Sequence, residues 1–118
     1  MNFKQNIKRI ATFSLALAAA SAFTSANAAY RETVVSANGT KTFTYEASPG
    51  ETFRARISGD GDSDLDLYVR GPRGRVVCSG VSPIDEEACT VFSPNGGVYR
   101  IEVENVEPIA NQFELWVR

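Results

Sequence analysis

The chain has 118 residues, with 14 acidic and 12 basic side chains, no histidine and a net charge of −2. A chain of this length holds one domain, and a mildly acidic balance argues against nucleic acid or an anionic membrane as partner. The missing histidine removes the usual base for a serine or cysteine nucleophile, so the sequence predicts a protein that is not an enzyme.

Residues 1–28 read as an address. Lys4, Lys8 and Arg9 form a basic start, residues 10–20 an apolar run rich in Ala and Leu, and Ala26-Asn27-Ala28 a small-x-small cleavage site. This is the pattern of a secretory signal peptide, and the apolar run is too short to span a bilayer. The sequence therefore predicts an exported protein, periplasmic or secreted, with a mature part at 29–118 and no membrane span. The leader holds three of the twelve bases and none of the fourteen acids, which leaves −5 on the rest. Both cysteines, Cys78 and Cys89, lie in the exported part, where a disulfide is the expected state.

From Arg31 onward the chain alternates. Residues 31–36 predict a first strand, and Asn38-Gly39 a turn. Residues 40–46 predict a second strand with Phe43 and Tyr45 on one face, and 51–58 a third with Phe53, Ala55 and Ile57 inward and Arg54 and Arg56 outward. The bend Asp60-Gly61-Asp62-Ser63 then runs into a strand ending at Arg70. Leu65, Leu67 and Val69 point one way there, and Asp64, Asp66, Tyr68 and Arg70 the other. Gly71-Pro72-Arg73-Gly74 turns the chain into a short strand at 75–79, and a loop at 80–87 leads to another at 88–93. Residues 98–104 place Tyr99, Ile101 and Val103 inward, and 111–118 place Phe113, Leu115 and Val117 inward. About eight short antiparallel strands with turns between them predict an all-β, compact, jelly-roll-like β-sandwich.

The order of motifs resembles the bacterial pre-peptidase C-terminal domain. Pro49-Gly50 comes first, then Gly-Asp-Gly-Asp-Ser-Asp-Leu-Asp-Leu-Tyr-Val at 59–69, and then the two cysteines. Pro-Asn-Gly-Gly-Val-Tyr-Arg-Ile-Glu-Val at 94–103 and Phe-Glu-Leu-Trp-Val at 113–117 complete the series. The resemblance covers residues 30–118. It implies a β-sandwich module of the kind that accompanies secreted peptidases, here standing alone. Its relatives in clostridial collagenases bind calcium and a protein fibre.

Two candidate sites follow. Asp60, Asp62, Asp64 and Asp66 offer hard oxygens on a tight bend, the donors a calcium ion takes in sets of about six to eight. The stretch begins like an EF-hand loop, but Leu65 stands where that loop needs glycine and Gly71 where it needs glutamate. The rival expectation is a solvated turn whose carboxylates cap backbone N–H groups. The second candidate is a sheet face: Tyr68, Arg70, Trp116, Arg118, Arg54 and Arg56 all fall on outward positions. They predict an aromatic and basic surface that recognises a protein or an extracellular polymer. The alternatives are a calcium-stabilised accessory domain, or an inhibitor or chaperone of a co-secreted peptidase.

Overall fold

The structure is a computed structural model that describes residues 21–24 and 29–118. The expected signal peptide at 1–28 lies outside the described residues except for 21–24. Among the described residues no helix is long and apolar enough to cross a membrane.

Alternation produces the strands where it was expected. They are β1 (Ser21–Thr24), β2 (Ala29–Val35), β3 (Thr40–Ala47), β4 (Glu51–Ser58), β5 (Leu65–Arg70), β6 (Val76–Gly80), β7 (Glu86–Ser93), β8 (Gly97–Asn105) and β9 (Asn111–Val117). They form two sheets, ordered β1-β3-β8-β5-β6 and β2-β9-β4-β7. Every pairing among β2–β9 is antiparallel, which bears out the eight-stranded sandwich. β1 is an addition: it runs parallel to β3, with Ser21 opposite Phe43 and Thr24 opposite Glu46.

The inner faces of the sheets share one core. Leu65, Leu67 and Val69 on β5 are fully buried, as are Ile57, Ile101, Val103, Leu115 and Val117. Tyr45, Phe53 and Tyr99 knit the sheets together, with ring centroids 4.5 Å apart for Tyr45–Phe53 and 5.1 Å for Phe53–Tyr99. Tyr45 donates its hydroxyl to the Glu51 carboxylate. Burial and that carboxylate raise the Tyr45 pKa well above its ordinary value. Val35, Cys89 and Val91 join the core beyond the set that alternation picked out.

Cys78 and Cys89 are joined, with Cα atoms 5.8 Å apart. β6 is an edge of one sheet and β7 an edge of the other, so the bond staples the sandwich along one side. Gly97 makes the turn into β8: its φ is +121°, and an added Cβ would sit 2.7 Å from Pro72 Cγ.

Candidate functional site

The acidic bend is a hydrogen-bonded end cap for the sandwich. Asp60 Oδ1 accepts from the Asp62 amide at 3.0 Å, and its Oδ2 accepts from the Gln112 amide at 2.9 Å. Asp85 Oδ2 accepts from the Gly61 amide at 2.5 Å. Asn111 sits beneath with its side chain fully buried. Its Oδ1 accepts from the Asp60 amide at 3.1 Å, and its Nδ2 donates to Ser63 Oγ at 2.9 Å and to the Ser63 carbonyl at 3.2 Å. The same Nδ2 lies 3.3 Å from Asp85 Oδ2. Gly59 is needed for this packing, because an added Cβ would collide with Asp85 Oδ2 and with Asn111 Oδ1.

These contacts bear on calcium. Both oxygens of Asp60 are directed at backbone amides, the arrangement of a capped turn. Asp64 and Asp66 lie farther on, at the start of β5 and within it. Among the described residues no three acidic or thiol groups converge as a metal cage. Asp60 and Asp62 thus belong to the capped bend, whereas Asp64 Oδ1 and Asp66 Oδ1 are buried without a hydrogen-bond partner among the described residues.

Asp66 carries the electrostatic load of this end. It stands directly opposite Glu104 on β8, a like-charge pair that weakens a sheet. Burial raises its pKa above the ordinary 3.8, and Asp64, Glu104 and Glu87 raise it further; a long contact with the Tyr68 hydroxyl pulls the other way. A carboxyl whose folded pKa is raised favours the native state fully below its ordinary value. That contribution is lost as pH climbs through the raised value. Asp66→Asn is therefore expected to raise the thermal midpoint at pH 7, with the gain shrinking below pH 3.8. Melts across pH 3–7 check it; a gain that does not change with pH would remove Asp66 as its source.

The sheet-face candidates divide between the two sheets. Tyr68 and Arg70 lie on β5 in the five-stranded sheet, whereas Arg54, Arg56, Trp116 and Arg118 lie on or beside β4 and β9 in the four-stranded one. The sheets pack inner face to inner face, so the two groups point in opposite directions and cannot form one surface. Arg70 is also engaged, donating to Glu102 at 3.1 Å and to the Gly74 carbonyl at 3.0 Å.

The four residues on the β4–β9 side do come together. Register puts Tyr30, Trp116 and Arg56 in one row across β2, β9 and β4. The Arg56 guanidinium lies 5.2 Å from the Trp116 ring centroid, and Tyr30 packs 5.6 Å from the same ring. In the next row Arg54 and Arg118 exchange backbone hydrogen bonds of 2.7 and 3.0 Å. Phe92 on β7 stands opposite Thr52 on the same outer face, two rows from Trp116, and is 61% exposed. Tyr30, Trp116 and Arg118, with Ala29 and Val117, line a shallow recess of about 260 Å³. Arg54, Arg56 and Arg118 are in no ion pair among the described residues. Sequence reasoning missed Tyr30 and Phe92. The alternation of β7 held the signal for Phe92, since Cys89 and Val91 inward force residue 92 outward.

Strand order and packing define a two-sheet β-sandwich, a fold shared with a solved pre-peptidase C-terminal domain, whose four-stranded sheet here presents aromatic and arginine side chains outward. The chain is similar to the pre-peptidase C-terminal domain of a collagenase from Bacillus anthracis, with 10% identity and a TM-score of 0.71 over 84% of this chain and 94% of that one. It is also similar to PliG of Aeromonas hydrophila, a periplasmic inhibitor of g-type lysozyme, with 16% identity and a TM-score of 0.59 over 84% and 97% of the two chains. PliG of Salmonella Typhimurium, another such inhibitor, matches with 18% identity and a TM-score of 0.52 over 83% and 97%. At these identities the likeness is one of fold. No protein-family model and no curated protein matches the chain.

Proposed function

We propose that the chain is a small exported, non-catalytic module that binds a protein through the outer face of the β2-β9-β4-β7 sheet. One observation carries this reading: Tyr30 and Trp116 meet Arg56 and Arg118 on one outer face shared with Arg54, and these arginines are in no ion pair among the described residues. Aromatic rings and arginines are the side chains that anchor protein interfaces. Arg54, Arg56 and Arg118 favour a partner that presents carboxylates to them, beside Glu114, which accepts from the Tyr30 hydroxyl at 3.0 Å on the same face. The cross-sheet disulfide supports export, since such bonds persist in oxidising compartments. Among fold neighbours, the inhibitors of g-type lysozyme are exported proteins that act on another protein. A g-type lysozyme is therefore the first probe, and a secreted peptidase the second.

The test is capture of partners from periplasm and culture medium, followed by calorimetry on what is retained. Trp116→Ala is expected to weaken binding by about 30-fold, the scale of an interface hot spot near 2 kcal/mol. Tyr68→Ala, on the opposite sheet, is expected to bind like the wild type. Equal retention by Trp116→Ala and wild type would remove this face as the binding surface.

A further inference from the structure

The outer face of the four-stranded sheet carries charge of both signs, sorted by row. Register defines three consecutive rows across it. The first holds Arg118, Arg54 and Thr90, and the middle one Tyr30, Trp116, Arg56 and Ala88. The third holds Glu32, Glu114, Ser58 and Glu86. Arg54 and Arg118 thus lie on one side of the aromatic row and the glutamates on the other. Rows on one face of a strand are about 7 Å apart. Among the described residues none of these arginines and glutamates is in an ion pair. The glutamates accept from neutral donors instead: Glu114 from the Tyr30 hydroxyl at 3.0 Å, Glu32 from Gln112 Nε2 at 2.8 Å and Glu86 from the Ser58 hydroxyl at 3.3 Å.

This pattern is its own complement. A second copy turned over about a two-fold axis along the middle row meets the first face to face, with the outer rows exchanged. Arg118 of one copy then falls over Glu114 of the other, and Arg54 falls over Ser58, between Glu114 and Glu86. Each contact occurs twice, as a closed isologous pair requires. Trp116 and Tyr30 meet their equivalents along the axis, which puts aromatic rings at the centre and charges toward the rim. A two-fold axis along the strands would lay arginines over arginines, so charge selects the first arrangement.

We infer that this face is a homodimer surface, on which two copies pack their β2-β9-β4-β7 sheets outer face to outer face about that axis. What commits it to a second copy is that it offers glutamates as well as arginines, in matched rows. Arg56 is the exception, since it meets its own equivalent at the axis. A face four strands wide spans only about 20 Å, which sets the dimer among small, transient interfaces. The dimer closes the recess beside Trp116 and so competes with the partner binding proposed above; that consequence alone rests on that reading.

The experiment is sedimentation velocity of the protein purified after expression with its own leader, at up to about 1 mM, as a transient interface requires. The expected result is a monomer–dimer equilibrium whose dissociation constant rises at least about tenfold from about 0.05 M to about 0.5 M salt. Emission of Trp116, the only tryptophan of the chain, should shift to shorter wavelength as the dimer forms. Arg118→Glu and Glu114→Arg, each retaining wild-type circular dichroism, are each expected to sediment as monomers, because like charges then oppose. Mixed, the two variants are expected to form a heterodimer, since both crossed contacts then pair opposite charges. Arg56→Gln is expected to leave the dimer no weaker, whereas it should weaken capture of a carboxylate-bearing partner. A monomer at every concentration overturns the inference, as does a dimer that ignores salt and both reversals, or a mixture of the two variants that stays monomeric. A monomeric protein that still captures a partner keeps the preceding reading and removes this one; a dimer that captures nothing does the opposite.

Discussion

Asn111→Ala is expected to lower the stability of the protein by about 3 kcal/mol, the largest effect of any single change outside the apolar core. The side chain is fully buried and serves four partners: the Asp60 amide, both Ser63 oxygens and Asp85 Oδ2. Alanine leaves the Asp60 N–H and the Ser63 carbonyl, both part-buried, without their partner, and a fully buried group so stranded costs about 1–3 kcal/mol. For a domain of this size the thermal midpoint should fall by roughly 10–20 °C. Asn111→Asp is expected to do no better. It deletes the Nδ2 donor and sets a third carboxylate between Asp60 and Asp85. Urea unfolding followed by tryptophan fluorescence checks both. A loss under about 0.5 kcal/mol for Asn111→Ala would mean that water takes over the site, and that the bend is held by Asp60 and Asp85 alone.

Removing the Cys78–Cys89 bond comes next in size. The bond spans a sequence separation of 11, and closing a loop of that length restricts the unfolded chain by about 3 kcal/mol in the chain-entropy account. Its position adds a local consequence. It joins edge strands of opposite sheets, β6 to β7, so its loss frees the side of the sandwich next to the 81–85 loop. The double variant Cys78→Ser with Cys89→Ser is expected to unfold at lower urea. Amide exchange should quicken first in β6, whose exposed residues contribute little to the core. Uniform quickening across both sheets would show instead that the bond acts only through the unfolded state.

The same side of the molecule separates the two candidate sites. Asp60, Asp62, Asp64 and Asp85 gather at the end where β5 begins and β4 stops, and the carboxylates of Asp60 and Asp85 hold backbone amides there. Arg54 and Arg118 lie toward the other end of the four-stranded sheet. Arg54, Arg56 and Arg118 face outward together on the four-stranded sheet, so partner capture by that face should weaken as salt rises.

Much of the architecture follows from residue order alone. Ala and Val cannot tell a strand from a helix one at a time. A period of two can, and it ran cleanly through Phe53-Arg54-Ala55-Arg56-Ile57 and through Leu65-Asp66-Leu67-Tyr68-Val69. Those side chains were inward or outward before any strand had a neighbour, because the pleat fixes the face locally. The cysteine pair was equally legible, since two thiols in an exported chain have one pairing to make. Pairing is a different matter. Nothing local says that β9 lies between β2 and β4 while β5 lies between β8 and β6, so alternation could not separate Tyr68 from Trp116. That depends on which strands exchange backbone hydrogen bonds across long sequence distances. The same holds for Asn105 and Asn111, which stand at a strand boundary in the sequence and prove to be buried latches. Sequence by itself determined which way each side chain faces its own strand. Only the tertiary structure decided which faces meet, because that choice is made by the packing of two sheets over one core.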